Sequence, residues 1–100
     1  MGDGVNPADI VAVEDFSRST LNEMVAHLER STEFEHLVYR EAELDALWSI
    51  TSFYLGVERN PPRREQLERM HAAAHQAHDL VGARRPQDAA AVLRRLLQTL

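Results

Sequence analysis

Cysteine and lysine are both missing from this chain, and each absence removes a class of chemistry. Without cysteine there is no disulfide, no zinc-thiolate centre and no thiol nucleophile. Without lysine there is no Schiff base and no phosphate-loop lysine. Only four glycines are present and none forms a Gly-rich phosphate loop; the Gly-x-Ser-x-Gly elbow and the His-Glu-x-x-His zinc motif are absent too. The longest nearly apolar stretch, 46–57, is far short of the roughly 20 residues that a bilayer crossing needs, and Ser49, Thr51 and Ser52 interrupt it. The opening residues, Met1 to Pro7, are acidic where a signal peptide is basic, and Asn6 stands where a myristoylation motif wants Ser or Thr. The expected location is cytoplasmic.

The remaining composition, 100 residues with 44% hydrophobic and 27% charged, suits one small domain that folds in water. The net charge of −5 is unevenly spread. Residues 1–58 hold twelve Asp and Glu against Arg18, Arg30 and Arg40, a balance of −9, whereas residues 59–100 hold four acids against eight arginines, a balance of +4. Opposite halves of one bundle, or of two protomers, can complement one another, and this reading is preferred to a nucleic-acid surface. Single-strand binders interleave basic residues with exposed aromatics, and all six aromatics here lie at or before Tyr54.

No strand pattern occurs. Residues 1–6 read as a flexible N-terminus and 7–100 as a single helical domain, with Asn6-Pro7 opening a short helix through Ile10, Val11 and Val13. Thr20 to Glu23 has capping-box spacing, and Leu21, Met24, Val25 and Leu28 mark an amphipathic helix over about 17–30. A second such box, Thr32 to Glu35, starts a long helix that Gly56 is expected to stop. Its stripe runs through Phe34, Leu37, Val38, Leu44, Trp48, Thr51 and Leu55, but Leu47, Ile50, Phe53 and Tyr54 make it apolar nearly all round. Leu47, Trp48, Ile50, Phe53 and Tyr54 are therefore the candidate interface of a dimer. Asn60-Pro61-Pro62 starts a further helix that ends near Gly82, and Pro86 opens the last. The fold class is all-α: a small antiparallel up-down bundle of three long helices and a short N-terminal one, expected to be dimeric, because short connections make sequential helices antiparallel neighbours.

One constellation could carry chemistry. His71, His75 and His78 fall at i, i+4 and i+7 on the boundary of the apolar face, and Glu41 and Asp45 form an i, i+4 pair on the preceding helix. A tight turn near residues 58–59 sets Glu41 and Asp45 across from positions near 76 and 72, which is the histidine stripe. Protonated imidazoles against carboxylates need no metal and are the preferred account. The alternative is a divalent zinc, iron or manganese ion held by Glu41, Asp45, His71, His75 and His78.

Two further strings invite comparison. Glu33-Phe34-Glu35-His36 and Glu68-Arg69-Met70-His71 resemble the Glu-x-x-His motif of di-iron carboxylate bundles, although register sets them about 15 Å apart within one chain. Ala77-His78-Asp79-Leu80-Val81-Gly82 resembles the His-x-Leu-Lys-Gly signature of histidine phosphotransfer domains, which are four-helix bundles of about this length. That resemblance implies an exposed phosphoacceptor at His78. Val81 replaces the lysine, and Arg84-Arg85-Pro86 breaks a helix that continues in that family. Taken together, the residues point to a helical interaction or regulatory module acting as a homodimer, with no active site claimed. Metal binding is the alternative; nucleic-acid binding and phosphotransfer are the lesser ones.

Overall fold

The computed structural model describes residues 7–31 and 33–100, and the side chains of 18–31, 33 and 36–100. They form four helices and no strand: α1 (Pro7–Arg30), α2 (Phe34–Val57), α3 (Pro61–Gly82) and α4 (Pro86–Thr99). The expected flexible N-terminus, residues 1–6, lies outside the described residues. No helix among the described residues is long and apolar enough to cross a membrane.

The first helix departs from the sequence expectation. A short N-terminal helix followed by another from about residue 17 is replaced by one continuous helix of 24 residues. Neither glycine nor proline occurs between Ala8 and Arg30, so nothing local breaks the hydrogen-bond ladder. Thr20 and Glu23 consequently sit inside a helix and cap nothing. The short member of the set is α4, with 14 residues, at the other end of the chain.

Helix ends are closed by three different devices. At the start of α3, the Asn60 side chain accepts from the Arg63 backbone N–H, with prolines in the first turn as expected. The start of α2 corrects the sequence reading: Glu33 is the N-cap and makes no side-chain cap bond. Gly56 does not stop α2 either, since the helix runs on to Val57. Its last carbonyls are satisfied from outside, by Arg64 Nη1 of α3, which donates to Leu55 O at 2.6 Å and to Glu58 O at 2.9 Å. After α3 the reversal falls on Arg84, whose φ of 62° lies in the left-handed region. The Arg84 N–H donates to Val81 O and the Arg85 N–H to Leu80 O, the paired bonds of a Schellman end with arginine where glycine is usual.

α2 packs on α3, α3 on α4 and α4 on α1, whereas α1 and α2 touch only lightly. The expectation that every sequential pair would be close neighbours therefore fails at α1 and α2. The reason lies in α4, whose buried Ala89, Ala90, Leu93 and Leu96 offer α1 a better apolar surface. Leu21, Met24, Val25 and Leu28 of α1 complete the core from that side. Alanines supply much of the buried surface of α3 and α4, namely Ala73, Ala74, Ala77, Ala89 and Ala90, and small side chains let backbones approach closely. Cross-half charge pairing is realised where Arg94 of α4 bonds the Glu29 carboxylate of α1, beside a bond from Gln87 Nε2 to Glu29 O.

Two stability outcomes follow. Gly56→Ala places a Cβ where nothing lies within 4 Å, and should raise the unfolding free energy by about 0.5–1 kcal/mol in urea titration. Leu93→Ala, at a fully buried position, should lower it by about 2–5 kcal/mol.

Candidate functional site

The structure divides the five expected ligands into separate groups. His78 Nε2 lies 3.3 Å from Asp45 Oδ1 and 3.8 Å from Glu41 Oε1, and its Nδ1 lies 3.7 Å from Asp79 Oδ1. Glu41 also reaches the end of α3, where a Cβ added at Gly82 would lie 3.4 Å from its Oε1. His75 points away: its side chain is 65% exposed and lies 3.5 Å from Asp79, its neighbour one turn on. His71 belongs to a third setting, accepting or donating a 2.8 Å hydrogen bond with Ser52 Oγ and stacking on Trp48 with ring centroids 5.0 Å apart. The pairs Glu41 with His78 and Trp48 with His71 advance in opposite senses along α2 and α3.

Among the described residues, no three His, Asp or Glu side chains are placed to hold a metal ion. The helical pitch accounts for the separation. At 100° per residue His75 is turned about 60° from His78 and about 40° from His71, which carries it off the side of α3 that meets α2. Three carboxylates, Glu41 and Asp45 of α2 and Asp79 of α3, stand at the edge of His78 and make it a point of contact between the two helices. The His78 side chain is 32% exposed among these acids. The two Glu-x-x-His strings also stay apart: Glu33 is the N-cap of α2, His36 is exposed, and Glu68 lies beside Arg64.

The pairing of Ser52 with His71 escaped the sequence reading, because neither residue belongs to a motif. A serine bonded to an imidazole is the beginning of a nucleophile and base, but Ser52 sits in the interior of α2. Backbone N–H groups there are consumed by the helix ladder and are not offered to an oxyanion. Their joint effect is to seat Trp48 against α3.

α2 has a second face. Its inner stripe, Leu37, Leu44, Leu47 and Thr51, is buried, and Thr51 Oγ1 is satisfied by the carbonyls of Leu47 and Trp48 at 2.9 Å. Leu47, expected at the interface, is therefore spent on the chain's own core, 6% exposed. Of the other expected interface residues, Ile50 and Phe53 are open to solvent, Tyr54 is half-buried with its ring edge-on to Phe53, and Trp48 is partly covered by His71. Between α1 and α2 lies a groove of about 650 Å³, walled by Met24, Leu47, Ile50, Phe53 and Tyr54 with Glu23 and Glu43 at its edges. His27 also lines it, and its Nδ1 is buried without a hydrogen bond.

The division of the histidines predicts unequal mutational effects. His71→Ala removes a hydrogen bond and a ring contact, and should cost about 1–2 kcal/mol in urea unfolding. His75→Ala should stay within about 0.5 kcal/mol of the parent, equally with and without added zinc. A His75 effect that appears only with zinc would restore the five-residue metal layer.

Compared with known proteins, the chain matches no protein-family model, no curated protein and no solved structure.

Proposed function

We propose that this chain is an up-down antiparallel bundle serving as an interaction module, and that it self-associates as a homodimer through the outer face of α2. One observation carries the reading. Every exposed large hydrophobic side chain among the described residues, Val38, Tyr39, Trp48, Ile50, Phe53 and Val57, belongs to α2. Scattered single apolar residues are normal on a protein surface, but Tyr39, Ile50, Phe53 and Val57 fall on one side of α2 and make a patch of the kind that marks an association surface. The groove beside it extends the apolar area toward α1. No catalytic step is assigned to the histidine-carboxylate layer, which supports the reading by holding α2 against α3 with its other face outward.

Sedimentation at tens of micromolar should find the parent protein dimeric. Phe53→Glu places a charge at the centre of the patch and should weaken dimerisation by at least about a hundredfold, roughly 3 kcal/mol, while leaving the circular dichroism of the folded chain unchanged. Arg95→Glu, an exposed change on α4, should leave the dimer intact. A parent protein already monomeric at that concentration would overturn the reading.

A further inference from the structure

The outer face of α2 has a sharper pattern than exposure alone conveys. Tyr39, Glu43, Ala46, Ile50, Phe53 and Val57 are spaced by four, three, four, three and four residues. That is a 3.5-residue period, sustained over about 27 Å of helix. All six are exposed except Glu43, which is half-buried and lies 2.9 Å from Arg40. A helix buried only against its own chain needs one such seam, and α2 already has it in Leu37, Leu44, Leu47 and Thr51. The outer seam is a second one: Glu43, Ala46, Ile50 and Phe53 border the open groove toward α1, and all of the seam but Glu43 stays exposed.

We infer that its occupant is the α2 of a second copy, lying antiparallel with Tyr39 opposite the partner's Val57, Ala46 opposite the partner's Ile50 and Glu43 opposite the partner's Phe53. This inference rests on the homodimer reading and adds the direction and register. Three features select the antiparallel choice. First, size: the antiparallel layers set small or medium residues against large ones, whereas a parallel pair would stack Tyr39 on Tyr39 and Phe53 on Phe53 and leave a gap at Ala46 against Ala46. Second, charge within the seam: a parallel pair buries two Glu43 carboxylates side by side, whereas the antiparallel one holds them about ten residues, or roughly 15 Å, apart. Third, charge at the ends: the exposed Arg59 after α2 falls opposite the first turn of the partner's α2, about four residues or roughly 6 Å along from the exposed Glu33. In a parallel pair arginine would meet arginine and glutamate would meet glutamate. Opposed helix dipoles act in the same direction.

The cysteine-free sequence makes disulfide trapping a clean test. Tyr39→Cys and Val57→Cys, both at exposed positions, are oxidised under mild conditions separately and as an equimolar mixture, and the products are identified by intact mass. The antiparallel register predicts that the mixed disulfide, joining one Tyr39→Cys chain to one Val57→Cys chain, is at least tenfold more abundant than either self-linked product. Self-linked products dominating in each separate sample would establish the parallel arrangement and overturn the register, while leaving the homodimer standing. No disulfide from a protein that sediments as a dimer would likewise overturn this register. No disulfide from a monomer would overturn both readings and leave the α2 face for a different protein.

Discussion

The packing of α4 between α1 and α3 is the constraint on which the rest of the arrangement depends. α4 has only 14 residues, yet its buried face reaches two neighbours at once. Alanines on α3 and α4 permit that close approach, and Leu93, fully buried, fills the space between them. α1 is then drawn to α4, where Arg94 and Gln87 hold Glu29 at its C-terminal end. With α1 committed there, α2 has one principal neighbour, α3. The groove between α1 and α2 and the exposed stripe of α2 are both consequences of that commitment.

α2 is accordingly held by a single seam, with additional contacts spread along its length. Near its C-terminus, Arg64 closes the last carbonyls from α3. In its middle, His71 receives Trp48 and Ser52. Farther toward its start, His78 lies among Glu41, Asp45 and Asp79. These partly exposed polar contacts contribute modestly to stability, but they set the rotation of α2 about its axis. That rotation decides which residues face outward. In this sense the contacts of His71 and His78 help to present Ile50 and Phe53 to solvent.

One contact of the histidine stripe, His78 with Glu41 and Asp45, was approached from the linear sequence. The spacing of His71, His75 and His78, and the short turn after α2, brought Glu41 and Asp45 to the histidine side of α3. Individual pairings were less accessible: the register pointed to positions near 76 and 72, while the carboxylates in fact meet His78. A shift of a few residues along a helix changes the contact entirely, because each residue turns the side chain by about 100°. Ser52 with His71 and Arg64 with α2 carried no motif, since each joins residues whose proximity arises only when two helices pack.

The sequence by itself determined that the chain is helical and where several helices begin. Asn60 before two prolines and Pro86 ahead of α4 act through backbone geometry within a few residues, so they operate regardless of what packs nearby. Continuity of α1 belongs to the same local level, for no breaker interrupts it. The tertiary structure alone decided which apolar stripe of α2 went inside and which helix became the neighbour of α1. Apolar residues nearly encircle α2, so its periodicity offered two competing seams and no local reason to prefer either. Only the fit of Leu44, Leu47 and Thr51 within the core, with α4 already occupying the face of α1, settled the choice.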